Sequence, residues 1–231
     1  MNKNSITALV PVKGNSERVK KKNLRNFGGS TLYEIKLSQL KKTKKFNRII
    51  ISSEDKSILE IAKKAGFDTH LRDSYYSTSS VSMSKVYSYI ASEIDGEDIA
   101  WINVTNPLVE HEVYDNAVEI YHKINTKYDC LLSSVRNYQN FFFKKKPVNF
   151  KPSPWPRSQD LKPLVSLSFA INILKRKNMI KWGSCVGNKP FFFFLNPIIS
   201  TDIDDQNSFK LSELIFLNKK LNIKKKHYIE T

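Results

Sequence analysis

Two groups of residues have the types and spacing that chemistry needs. The stretch STDIDDQNSF, Ser200 to Phe209, places Asp202 and Asp204 two positions apart with Ile203 between them. In an extended segment, residues i and i+2 point to the same side, so both carboxylates face one point while Ile203 turns toward the core. Such a pair suits Mg²⁺, which takes one or two carboxylates and completes its shell with water and phosphate oxygens. A structural reading competes: Asp205 or Asn207 caps the helix that follows, where the helix dipole favours acidic residues. That reading accounts for Asp205 and leaves Asp202 and Asp204, which lie upstream of the cap.

The second group is VPVKGNSERVKKKN, Val10 to Asn23. Gly14 allows a tight turn, Asn15 and Ser16 set small side chains beside backbone amides, and Lys13, Arg18, Lys20, Lys21 and Lys22 bring positive charge. Backbone N–H groups in a concave loop bind anions, and lysine adds a mobile point charge that can follow a phosphate. Neither a Walker loop nor a GxGxxG fingerprint is present, so a phosphate cradle and a solvated basic turn both stand at this level. Smaller signals are Arg72 after an apolar segment, Asn103, Thr105 and Asn106 before Pro107, and Arg157 with Gln159 in a proline-rich stretch. Each has a plain alternative as a turn or surface residue.

These residues need elements to hold them. Thr7 to Val12 reads as a buried strand that breaks into the basic loop, Thr31 to Leu40 as a helix, and Arg48 to Ser52 as a second buried strand. Lys56 to Ala65 is apolar at helical spacing and closes on Gly66 as a C-terminal cap. The alternation continues with a strand at Thr69 to Leu71, a helix from Ser80 to Ile94, a strand at Ile99 to Val104, a helix from Val113 to Ile124 and a strand from Cys130 to Val135. It implies parallel strands joined by crossover helices, an α/β sandwich whose ligands lie beyond the carboxyl ends of the strands. That puts Val10 to Asn23, Ser52 to Asp55 and Asn103 to Pro107 on one rim. From Arg136 to Pro163 five prolines and clustered aromatics break the pattern, so 136–170 is set apart as an arm or lid. Strands at Leu164 to Ile173 and Pro190 to Leu195 follow, with a short helix at Lys175 to Ile180, a helix from Ser208 to Leu221 and a solvated basic tail.

Length and composition bound the partners. A chain of 231 residues, 40% hydrophobic, buries a real core, and the expectation is one domain over 1–231. The net charge of +16 points to nucleic acid, an anionic membrane or a small phosphorylated substrate, or to a compositional bias toward lysine. Cys130 and Cys185 form no CxxC motif, which argues against a disulfide framework or zinc site. No apolar run is long enough for a signal peptide or a bilayer span; a soluble cytoplasmic protein is expected, without membrane or nucleic-acid partners, since no helix-turn-helix, RNP or zinc signature accompanies the charge.

From Ala8 to about Leu217 the chain resembles the CMP-sialic acid synthetase (acylneuraminate cytidylyltransferase) family. The family opens with an apolar strand, Pro-Ala-Arg, a Gly- and Ser-containing basic loop and Lys-Asn. Here Pro11, Val12 and Lys13 are followed by Gly14, Ser16, Lys22 and Asn23. Its Gly-Lys-Pro-Leu turn is matched by Gly29 to Leu32, its Arg-Pro in part by Arg72, its Gln-Pro-Thr-Ser-Pro-Leu by Asn103 to Leu108, its Arg-Arg-Gln-Asp-Leu by Arg157 to Leu161, and its Ser-Ile-Asp-Ile-Asp by Ser200 to Asp204.

The resemblance implies a Rossmann-like nucleotidyltransferase sandwich that moves CMP from CTP to the anomeric hydroxyl of a nonulosonic acid, releasing pyrophosphate, with Mg²⁺ on Asp202 and Asp204. It implies Lys22 on the triphosphate as a catalytic residue, the segment Val12, Lys13, Gly14, Asn15 and Ser16 around the nucleotide, and Asn23 with Arg72 on cytosine. Asn103, Thr105, Gln159 and Ser168 fall on the sugar side. The arm then serves a homodimer in which Arg157 reaches the neighbouring subunit's sugar carboxylate. Departures lie at Lys13 in place of Arg, Asn103 in place of Gln, Ser158 in place of Arg, and Ser168-Phe169 in place of Asn-Gly. Several of these positions belong to the sugar side in the family, leaving room for another nonulosonic acid, another sugar or another NTP.

Overall fold

Strand β1 (Ile6–Pro11) sets the frame. Ile6, Ala8 and Val10 point into one apolar layer and Leu9 into another, and all four are fully buried. Successive side chains of a strand face opposite sides of the sheet, so β1 is covered on both faces. Each Ile, Leu or Val side chain withdrawn from water in this way contributes about 1.5–3 kcal/mol. The structure, a computed structural model, describes residues 5–16 and 19–218. Arg18 of the basic loop, the last residues of the helix expected to reach Leu221, and the basic tail lie outside the described residues.

After β1, a hairpin of β2 (Asn26–Phe27) and β3 (Ser30–Thr31) leads into α1 (Leu32–Leu40). Then come β4 (Arg48–Ser53), α2 (Lys56–Lys64), β5 (Asp68–Leu71), α3 (Met83–Glu93), β6 (Asp98–Trp101), α4 (His111–Ile124) and β7 (Cys130–Asn137). A second hairpin, β8 (Phe142–Phe143) and β9 (Lys146–Pro147), precedes β10 (Leu164–Lys175), α5 (Arg176–Trp182), β11 (Pro190–Phe194) and α6 (Gln206–Leu217). Seven strands form one sheet in the order β11-β7-β10-β6-β1-β4-β5. Neighbours pair in parallel except at β10, which is antiparallel to both β6 and β7. The core on one face of the sheet takes in α1, α2, α4 and α6, and the core on the other face takes in α3 and α5. This is the mostly parallel α/β sandwich that the alternation implied.

Local chemistry sets the element ends. Asp55 caps α2, accepting the Ser57 N–H at 2.8 Å, and Gly66 just beyond the helix sits at φ +86°, a conformation that glycine adopts without penalty. The third helix begins at Met83 rather than Ser80 because Ser82 is its cap. The strand expected to reach Val104 stops at Trp101, where the chain leaves the sheet for the rim.

Helix α1 is unusual in burying polar tips along with apolar ones. Lys36 is fully buried; its Nζ donates to the Asn106 carbonyl at 2.9 Å and to the Tyr114 hydroxyl, and Gln39 donates to the Pro107 carbonyl at 2.6 Å. Burial pushes the Lys36 ammonium down to about 7, with the negative charge of Glu110 pulling the other way. Among the described residues no helix is long and apolar enough to cross a membrane.

The buried lysine makes stability depend on pH. Between about 7 and the ordinary lysine value of 10.5, the unfolded chain holds a proton at this position that the folded chain has released. Stability from this group therefore rises with pH across that window. Replacing the lysine by Lys36→Met should flatten the rise in melting temperature between pH 7 and about 9.5, read by circular dichroism. Equal slopes in the two proteins would show that Lys36 titrates as an ordinary lysine.

Candidate active site

The loops beyond the carboxyl ends of β1 and β6 meet where the winding reverses: β4 and β5 extend to one side of β1, β6 to the other. A crevice forms at such a switch point. The cleft there has a volume of about 460 Å³. The loop after β1 lines it with Lys13, Asn15, Ser16, Lys22 and Asn23, the loop after β6 with Asn103, Val104 and Thr105, and the segment before α6 with Asp202 and Asp204. The basic loop and the carboxylate pair, both singled out in the sequence, thus share one wall-to-wall space. Ile203 between the carboxylates is fully buried, as alternation in an extended segment requires. Asp205 caps α6 in a capping box with Ser208, whose N–H it accepts at 2.8 Å.

Three contacts hold the carboxylate segment to the rim. The Ile203 N–H donates to the Thr105 carbonyl at 2.9 Å. The Lys22 amine, nearly buried, donates to the Ile203 carbonyl. Asn106 Nδ2 donates to the carbonyls of Ser200 at 3.1 Å and Thr201 at 3.3 Å, and to that of Ser168 at 3.1 Å. Ser168 precedes a bulge in β10 at which Phe169 takes φ +53°. A bulky side chain rarely enters that region, and doing so costs roughly 1–2 kcal/mol.

The basic loop is braced from behind. A Cβ on Gly14 would stand 2.6 Å from Asp55 Oδ2 and 3.0 Å from Asp55 Cβ, so a side chain there would push aside the carboxylate that caps α2. The Gly14 N–H donates to Glu54 Oε1 at 2.9 Å, while Glu54 Oε2 accepts from Arg72 Nη2 at 2.6 Å and from the Ser77 hydroxyl at 2.7 Å. Arg72 Nη2 also donates to the Val12 carbonyl and Nε to Ser77, each at 3.0 Å. Burial pushes the Glu54 carboxyl up, but hydrogen bonds from Arg72, Ser77 and Gly14 outweigh it and hold the group below the usual carboxylate range. Asn23 Nδ2 donates to the Lys13 carbonyl at 3.0 Å, and Asn23 Oδ1, buried at the cleft wall, has no hydrogen-bond partner among the described residues.

Several expected residues stand elsewhere. Arg72, Val12 and Gly14 support the lining without forming it; Arg72 is 3% exposed and its guanidinium is engaged by the brace. Ser168 is buried, with its carbonyl on Asn106. Arg157 and Gln159 are exposed and do not line the cleft; Arg157 pairs with Asp160 at 2.7 Å beside a separate hollow that includes Trp155. Conversely, Ser77, Ser79 and Met83 line the cleft without having been singled out. Glu54, which the sequence placed on the rim within Ser52 to Asp55, was given no role there, and its part in the brace appears only in the structure.

The brace makes a prediction. Arg72→Met strands the Glu54 carboxylate in its partly buried place, and losing one partner of such a pair should cost on the order of 3 kcal/mol in urea denaturation. A loss under about 1 kcal/mol would make the pair an ordinary surface bridge.

Lysines and a carboxylate pair that line one cleft at the switch point of an α/β sheet are what a phosphate-handling protein needs. The cytidylyltransferase family profile matches residues 7–150, and the chain belongs to that family. N-acylneuraminate cytidylyltransferase A of Danio rerio is 28% identical over 211 residues, covering 86% of this chain and 48% of the relative. Pseudaminic acid cytidylyltransferase of Campylobacter jejuni (serotype O:2) is 24% identical over 126 residues, covering 52% and 54%. The chain thus spans about half the length of the zebrafish relative, and its match to the Campylobacter one is likewise partial. Among solved structures, CMP:2-keto-3-deoxy-manno-octonic acid synthetase complexed with CTP shares the fold at a TM-score of 0.67 with 8% identity, covering 92% of this chain and 98% of that one.

Proposed function

We propose that this chain transfers CMP from CTP to the anomeric hydroxyl of a sialic-acid-like nonulosonic acid, releasing pyrophosphate. The observation that carries the reading is the shared cleft: in a member of the cytidylyltransferase family, Lys13, Ser16 and Lys22 face Asp202 and Asp204 across one space. The names of the zebrafish and Campylobacter relatives both specify sugars of this class. In the reaction, the sugar hydroxyl oxygen attacks the α-phosphorus in line, the bond from the α-phosphorus to the bridging oxygen breaks, pyrophosphate departs with the electron pair, and the hydroxyl proton passes to water. The Lys13 and Lys22 ammonium groups absorb negative charge on the phosphates, so positioning and electrostatics supply the catalysis. Asn23 Oδ1 accepts a hydrogen bond from a donor on the nucleoside. No side chain is assigned as a general base.

Asp202 and Asp204 fit Mg²⁺: both are hard oxygen donors on the cleft side of the segment, with Ile203 turned away. When bound there, the ion would lower the cost of charge on the phosphates and help orient them. The two carboxylates would hold it, and Lys22 and Thr105 would keep their segment in place.

The decisive assay is pyrophosphate release from each NTP with Mg²⁺ against a panel of nonulosonic acids and Kdo. Release is expected with CTP and a nonulosonic acid. No release with any pair, together with tight, salt-sensitive oligonucleotide binding, would overturn the reading in favour of a nucleic-acid-binding module. Asp202→Asn and Asp204→Asn should each lower turnover by roughly 10²–10³-fold with the circular dichroism spectrum unchanged. Near-parental rates in both would make the carboxylates structural.

We also propose a cytoplasmic homodimer built on the arm. Tyr138, Phe142, Phe143 and Trp155 are all more than half exposed within that region, an apolar surface of the kind that marks a protein interface. Light scattering should give twice the chain mass of 26.8 kDa; a monomer at assay concentration would refute the dimer without touching the transfer reaction.

A further inference from the structure

We propose that the buried pair Lys36 and Asn106 is a positioning relay that fixes where the Asp202 and Asp204 carboxylates stand in the cleft. Neither residue lines the cleft, so neither is catalytic. Lys36 is fully buried between α1 and α4, and its Nζ grips the Asn106 main-chain carbonyl at 2.9 Å. Asn106, also fully buried, spreads its Nδ2 over the carbonyls of Ser200 and Thr201, the two residues before Asp202. The neighbouring Thr105 carbonyl takes the N–H of Ile203, the residue after it. Residues 105 and 106 therefore clasp the chain on both sides of Asp202, and Lys36 pins residue 106 from below.

An amine in this position, charged or neutral, is costly to bury, and an apolar side chain of the same length is often neutral or stabilising in its place. A fold needing only a filled core has no use for the amine. Two carboxylates that must converge on one ion do have a use for it, because the tolerance for such a site is a fraction of an ångström. The main-chain carbonyl of Asn106 faces the core, where it takes a long bond from the Val109 N–H at 3.4 Å; Lys36 supplies the short one at 2.9 Å without entering the cleft.

The relay rests on the carboxylate role proposed above, so its test includes a readout that needs no turnover. In Lys36→Met, amide hydrogens of the Ile198–Asp205 segment should exchange about tenfold faster by mass spectrometry while β1 exchanges as in the parent. The Mg²⁺ concentration for half-maximal pyrophosphate release should rise about tenfold, the loss being recovered at saturating Mg²⁺. Tyr114→Phe removes the other partner of Lys36 but keeps its bond to Asn106, and should leave both readouts at parental values. A folded Lys36→Met protein with parental exchange across Ile198–Asp205 overturns the relay, as does an equal change in Tyr114→Phe. If Lys36→Met does not fold, Asn106→Ser, which cannot span the carbonyls that Asn106 bridges, decides by the same two readouts. A parent that releases no pyrophosphate sinks the proposed activity alone, since the exchange comparison still settles the relay.

Discussion

Cations on one loop and carboxylates on another attract, but attraction through water is screened within about 10 Å at moderate salt, too weakly to fix either group in place. What fixes them here is direct hydrogen bonding where water is excluded. The Lys22 amine sits on the carbonyl between Asp202 and Asp204, and that carbonyl's own residue is tied to Thr105 through its N–H. The loops that carry Lys22 and Thr105 can both reach Ile203 because β1 and β6, adjacent and parallel, deliver their carboxyl ends to the same rim. The sheet thus matters to the chemistry chiefly as a device for bringing polar loop ends into a dry contact.

Behind that contact stands a second layer of polar side chains that never reach the cleft. Glu54 and Arg72 hold the Gly14 amide and the Val12 carbonyl, and Asn106 holds three carbonyls from two different segments. Each satisfies main-chain groups that irregular backbone would otherwise bury unpaired, at a cost of roughly 1–3 kcal/mol apiece. Irregular loops are thereby made nearly as well bonded as strands, which lets the lining residues sit on loops without slack.

Much of this was legible in the sequence. Buried parallel strands announce themselves as apolar runs, as Thr7 to Val12 does, and the two-residue period around Ile203 correctly placed that side chain in the core. The carboxylate pair and the basic loop were found from residue type and spacing, and the rule for parallel sheets put the basic loop on one rim with Asn103 to Pro107; that the carboxylates share this rim came from the structure. What stayed hidden depends on contacts between segments. Arg72 reads as a ligand-facing cation until Glu54 is seen opposite it. Lys36 lies in a helix that is buried on nearly all sides, so its charge reads as surface until the tertiary structure encloses it. The antiparallel direction of β10 and the left-handed Phe169 leave no mark in composition or period.

The Lys22 contact joins positions 181 residues apart, and this separation orders events in time. During synthesis the basic loop, the first strands and their helices emerge long before Asp202 does. Closing so long a loop is entropically expensive and comes late in folding. A nascent chain therefore carries a phosphate-attracting loop with no carboxylates opposite it until the segment before α6 docks. The cleft is completed only when that segment, which follows every strand of the sheet along the chain, docks on the rim.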